Sequence, residues 1–235
     1  MNEQHIASAY DRDLEAIQAM IIKMGGLVEE AILDGSRSLE TRDTELAEKV
    51  RSGDKAVDDL EERINEESAR TIALRAPVSK DLRIILSVLR LAASLERVGD
   101  YAKNIAKRTG VLAELRSIPG IDATLRRMAR SVQMMLKDTL DAFIARDADS
   151  AAEVILRDED VDGLYNTLFR ELLTHMMEDP RNITACMHLH FIAKNIERMG
   201  DLVTNMAEQV VYLSTGVKPQ GERPKGDRTS YVTKS

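Results

Sequence analysis

Tryptophan is missing from this chain of 235 residues, aromatic side chains of all kinds make up 3% of it, and glycine and proline number only 12 and 5. An all-β fold needs frequent turn residues and a good supply of aromatic and β-branched side chains, so sandwiches and barrels are excluded first. Cysteine occurs once. Cys186 by itself forms neither an internal disulfide nor a thiolate metal site, which agrees with a reducing compartment. Long hydrophobic runs are also lacking: Lys23 interrupts AMIIKMGGLV and Arg90 interrupts IILSVLRLAASL, so no stretch approaches the roughly 20 apolar residues that span a bilayer. The opening residues, MNEQHIASAYDRDLEA, place acids where a secretory signal has basic and then apolar residues. The expectation is a soluble, cytoplasmic protein. Positive charge is not in excess either. A formal net charge of -7 disfavours nucleic acid as a partner, although a local basic patch is compatible with an acidic whole.

What is present is helical in composition: 43% hydrophobic residues, 31% charged residues and 11 methionines. Leu14, Ile17, Ile21, Met24 and Val28 are spaced as the seam of an amphipathic helix in a bundle. Leu46, Val50, Gly53, Val57, Leu60 and Ile64 continue that rhythm in a second helix, capped by Asp43 or Thr44. Pro77 and Ser79 break it, and the third helix, from Leu82 to Lys107, is apolar on more than one side and is expected to be the most buried. After Pro119 and Gly120 the pattern restarts with Leu125, Met128, Val132, Met135, Thr139 and Phe143. A fifth helix is expected from about Ala148 to Met177, and a sixth from Ile183 to Leu213, closed at Gly216. The reading is an all-α protein of two tandem three-helix bundles, 1–112 and 113–217. A tail over 218–235 has five basic and two acidic side chains and no apolar periodicity, and is expected to be disordered.

The second half repeats the first. Glu96, Arg97, Gly99, Asp100, Asn104 and Ala106 recur as Glu197, Arg198, Gly200, Asp201, Asn205 and Ala207, always 101 positions on. Asp54, Val57, Asp58 and Leu60 recur 104 positions on as Asp158, Val161, Asp162 and Leu164. Each repeat therefore carries one acid pair spaced i, i+4 on its second helix and another on its third. Four residues advance about 6 Å along a helix and turn about 40° past a full turn, so both acids of a pair leave nearly the same face. That face borders the apolar seam, where desolvated like charges need a cationic or hydrogen-bonding partner to compensate them. If the helices lie side by side, Asp54, Asp58, Glu96 and Asp100 form one cluster of oxygen donors and Asp158, Asp162, Glu197 and Asp201 another. Such clusters suit metal ions such as Mg, Mn, Fe or Zn, with Asn104 and Asn205 as further oxygen donors.

Surface charge paired with arginine, such as Arg97 and Arg198, is the plainer reading of the same acids, and a metal-free helical adaptor follows from it. A carboxylate-bridged di-metal enzyme is the catalytic alternative. Its Glu-x-x-His signature is absent: three positions before His5, His175, His188 and His190 stand Asn2, Leu172, Ala185 and Met187. His188 and His190 are two apart, point to different faces and read as ordinary helix residues. No zincin or phosphate-loop pattern occurs, Cys186 reads as an inert packed thiol, and no catalytic residue is assigned.

With LRAPVSKDLR before the third helix, LERVGD and IERMGD at the paired motifs, and NMAEQVVYLSTG at the end, the chain resembles the PhoU family of phosphate-specific transport system accessory proteins. The resemblance runs nearly to Gly216. It implies two three-helix bundles, a homodimer, and metal clusters held by E/D-xxx-D motifs, which here match Asp54 with Asp58, Glu96 with Asp100, Asp158 with Asp162 and Glu197 with Asp201. It also implies a negative regulator of the phosphate-starvation response. Such a protein modulates phosphate uptake, acts between the nucleotide-binding subunit of the phosphate ABC transporter and a sensor histidine kinase, and meets the membrane only through those partners.

Overall fold

The computed structural model describes residues 2–219, with side chains from residue 10 onward. The expected disordered tail, from position 220, and the side chain of His5 lie outside the described residues. Among those residues the chain forms seven α-helices and no strand: α1 (Asn2–Thr41), α2 (Thr44–Arg75), α3 (Lys80–Ala113), α4 (Ile121–Ala145), α5 (Ala148–Leu156), α6 (Asp158–Glu178) and α7 (Ile183–Thr215). A single 3-10 turn at Pro180–Asn182 leads into α7. No described helix is long and apolar enough to cross a membrane.

Local chemistry sets the boundaries. Asp43 is the cap of α2, its carboxylate accepting from the Leu46 N–H at 2.9 Å. The helix ends at Ala76, left-handed at φ 45°, just before Pro77 removes the next donor. Asp147 caps α5 by accepting from the N–H groups of Asp149 and Ser150 at 3.0 and 3.2 Å. Gly216, at φ 79°, closes α7 by donating its N–H to the Tyr212 carbonyl at 2.9 Å, a conformation that a side chain disfavours. The expected fifth helix is divided at Arg157. There the Arg157 N–H bonds Val154 O at 3.1 Å and the Asp160 N–H bonds Arg157 O at 3.2 Å. These i to i+3 bonds tighten the turn and make Asp158 the first residue of α6.

Helices α1, α2 and α3 pack as one bundle and α4 to α7 as a second; α1 also lies along α4, and α3 along α7. Buried Ile17, Ile21, Met24, Val28, Ile32 and Leu39 of α1 are matched 104 positions on by buried Ile121, Leu125, Met128, Val132, Leu136 and Phe143 of α4. The two helices run antiparallel. Gly25 meets Leu140, Gln133 donates to Glu29 at 2.9 Å, and Arg126 donates to Glu40 at 2.6 Å. Glu29 and Gln133 are themselves 104 apart, so an approximate two-fold axis relating the repeats passes near that contact. One continuous apolar core runs through both bundles. Each buried Leu or Ile in it contributes about 1.5–3 kcal/mol by leaving water.

Two further expectations need correction. On α2 the buried line is Ala47, Val50, Asp54, Val57, Leu60 and Ile64, with Gly53 exposed and Leu46 half-buried; an aspartate holds the place expected for glycine. α3 is not the most buried helix, since α7 buries more residues.

Candidate functional site

The first carboxylate cluster lies between α2 and α3. Asp54 sits on the buried seam of α2 at 6% exposure. Gly99 of α3 lets the two helices approach there, because a Cβ on it would lie 3.5 Å from Val57 Cγ1 and 3.7 Å from Asp54 Oδ1. One turn along, Asp58 is exposed, while Glu96 and Asp100 are half-buried. The acids sense one another. Desolvation, then the charge of Asp54, pushes the Asp58 carboxyl upward, against the pull of Lys103. Glu96 is pushed up by desolvation, by the charge of Asp100 and a hydrogen bond with it, and then by Glu61 and Asp58. Lys103 is the local counter-charge: its Nζ donates to Asp54 Oδ2 and stands 3.6 Å from Asp100 Oδ1.

The second cluster is drier. Asp158, Asp162 and Glu197 are 8, 7 and 5% exposed, and Asp201 is half-buried. Gly200 again marks the close approach, more tightly than Gly99, since a Cβ there would stand 2.9 Å from Asp158 Oδ1. Lys194 Nζ donates to Glu197 Oε1 at 2.8 Å and lies 4.9 Å above the Tyr165 ring. Glu197 Oε2 is buried with no hydrogen-bond partner. Burial pushes the Glu197 carboxyl upward; Lys194 opposes this, and Asp201 and Asp162 add to it. α6 starts at Asp158, so this acid stands at the break between α5 and α6, whereas Asp54 sits inside its helix.

The eight sequence-identified acids therefore lie along two repeat-equivalent helix contacts, α2 with α3 and α6 with α7. Asn104 and Asn205, expected as further donors, are exposed. The donor set fits a hard or borderline cation in kind, and Glu197 Oε2 is an open acceptor for one. In this arrangement the neutralising charge is an ammonium. Among the described residues no three side chains of His, Cys, Asp or Glu are grouped to hold an ion. Sequence reasoning missed the two lysines and Glu61. The lysines come from positions that the repeat does not equate: Thr204 stands at the counterpart of Lys103, and Ala93 at that of Lys194. Their signal was the i, i+3 spacing to Asp100 and Glu197.

The described histidines have other neighbours. His190 packs among Tyr165, Phe169 and Phe191, with ring centroids 5.4–6.1 Å away. His188 Nδ1 is 3.0 Å from Arg108, and His175 is 3.8 Å from Glu178. Cys186 is fully buried, and burial pushes its thiol upward.

Fold and site together define a class: duplicated helical-bundle proteins that carry a carboxylate cluster between the last two helices of each repeat. Comparison with known proteins agrees. The PhoU domain matches residues 21–109 and 125–210. A phosphate-specific transport system accessory protein PhoU homolog of Rhizobium meliloti is 48% identical over 230 residues, covering 98% of this chain and 97% of that protein. A PhoU homolog of Caulobacter vibrioides is 43% identical over 224 residues, covering 95% and 97%. The crystal structure of PhoU from Pseudomonas aeruginosa superposes with a TM-score of 0.86 at 38% identity, covering 88% of this chain and all of that one. That of the phosphate transport system regulatory protein PhoU from Streptococcus pneumoniae gives 0.83 at 30% identity, covering 90% and 99%. The chain belongs to the PhoU family.

Proposed function

We propose that this chain is a non-catalytic accessory regulator of phosphate transport. It works in the cytoplasm, as a homodimer, and holds the phosphate-starvation response off when phosphate is plentiful. Contact with the nucleotide-binding subunit of the phosphate ABC transporter and with a sensor histidine kinase conveys the transport state, by favouring one of the kinase's conformations. What carries the reading is membership of the family along nearly the whole chain, together with the acid pairs that recur in both repeats. Deleting the gene is expected to leave phosphate-starvation genes active in phosphate-rich medium, read by transcript abundance. Normal repression in that strain rejects the role.

Within that role each cluster takes metal ions of magnesium, manganese, iron or zinc type, held by Asp54, Asp58, Glu96 and Asp100 in the first repeat and by Asp158, Asp162, Glu197 and Asp201 in the second. The ions supply charge neutralisation. The carboxylates brace α2 against α3 and α6 against α7. A second reading, a metal-free adaptor, is favoured by the Lys103 and Lys194 ion pairs, which already offset part of the acid charge.

A further inference from the structure

We propose that the cleft between α1 and α4 binds a small anion carrying two or three linked phosphoryl groups. This cleft, of about 900 Å³, is remote in sequence from the carboxylate motifs and is walled by the C-terminal half of α1 and the N-terminal half of α4. Four arginines line it, Arg37, Arg126, Arg127 and Arg130, against a single acid, Glu40. In a chain with a net charge of -7, this concentrates positive charge at one place.

Only Arg126 is satisfied internally, through its 2.6 Å pair with Glu40. Arg37, Arg127 and Arg130 make no ion pair within 4.0 Å among the described residues. Every cation lining the cleft is a guanidinium, a flat fork of donors that grips two oxygens of a phosphoryl group at once. Three uncompensated charges match a di- or triphosphate better than orthophosphate, which carries between one and two negative charges near neutrality. The size is right for such a ligand with an organic group attached. The floor adds the Ser36 and Thr124 hydroxyls as smaller hydrogen-bonding groups.

The duplication provides an internal comparison. Counterparts of Arg126, Arg127 and Arg130, 104 positions earlier, are Ile22, Lys23 and Gly26, and the counterpart of Arg37 is Asp141. The other end of the same antiparallel helix pair thus has the same backbone arrangement without the arginines. The basic cleft is a property of these side chains and not of the repeated fold.

The test is calorimetric titration of the full chain in EDTA, at about 50 mM salt, with tripolyphosphate, orthophosphate, magnesium-free ATP and a hexaglutamate peptide. Tripolyphosphate is expected to bind one per chain, more tightly than orthophosphate, and to weaken steeply by about 200 mM salt. Arg127→Gln/Arg130→Gln is expected to lose tenfold or more in affinity, by about the strength of one charge-assisted pair, with an unchanged melting temperature. ATP binding tighter than tripolyphosphate assigns the site to a nucleotide; equal affinity assigns it to the bare phosphate chain. Three results overturn the proposal: no heat with tripolyphosphate, undiminished affinity in the double variant, or tighter binding of hexaglutamate. Because chelation empties the carboxylate clusters, anion binding that appears only when divalent cations are restored also overturns it, while leaving the metal reading intact.

Discussion

At the scale of single residues the decisive pair is Lys194 with Glu197. A buried carboxylate with one oxygen on an ammonium and the other unpartnered depends heavily on that ammonium. Lys194→Met is expected to cost about 1–3 kcal/mol of stability in urea unfolding. If the cluster takes a cation, millimolar manganese recovers more of that loss in the variant than it adds to the parent, since the lysine no longer competes. An equal manganese response in both chains favours the metal-free adaptor. Glu197 also fixes a pH dependence. Its carboxyl titrates above the ordinary 4.5 in the folded chain, so the folded state holds that proton more tightly than the unfolded one. The stabilisation is complete below about 4.5 and is lost as pH rises through the folded value. Glu197→Gln mimics the protonated form, so its stability relative to the parent is expected to be more favourable at pH 8 than at pH 4.5. Urea midpoints differing by the same amount at both pH values would remove Glu197 from this role.

Elements differ between the repeats where their sequences agree. Gly99 and Gly200 occupy equivalent positions, yet a methyl group at Gly99 meets only ordinary contacts from 3.5 Å, whereas at Gly200 it meets Asp158 Oδ1 at 2.9 Å. Gly99→Ala is therefore expected to be neutral or stabilising by up to about 1 kcal/mol through helix propensity. Gly200→Ala is expected to destabilise by about 1–2 kcal/mol, because Asp158 must rotate or α6 must shift. Thermal melts of the two variants decide this, and equal shifts would mean that the tighter approach at Gly200 is without consequence. Element positions were mostly legible in the sequence, since apolar spacing and caps act over a single turn. The break at Arg157 was not legible: no glycine or proline marks it, and the i to i+3 bonds that make it are a backbone event. Nor was the seam of α2 legible in full, because hydropathy assigns apolar residues to the buried line and Asp54 is there by virtue of Lys103 and Gly99.

For the whole molecule, the repeat gave away the architecture and the pairing of the acid motifs, because a duplicated sequence must fold twice into equivalent places. The departures from the repeat stayed hidden. Lys103 and Lys194 reach matching clusters from unmatched positions, and the arginines of α4 join Arg37 only once α1 is laid against α4. Both depend on tertiary placement, which periodicity within one helix does not encode. The antiparallel crossing of α1 and α4 at Glu29 and Gln133 has a last consequence. A half-turn about that contact carries one bundle roughly onto the other, so a single polypeptide displays two near-copies of one face. What the two faces share is the placement of their helices; the charged side chains set on them differ, Lys103 corresponding to Thr204 and Ala93 to Lys194 across the repeat.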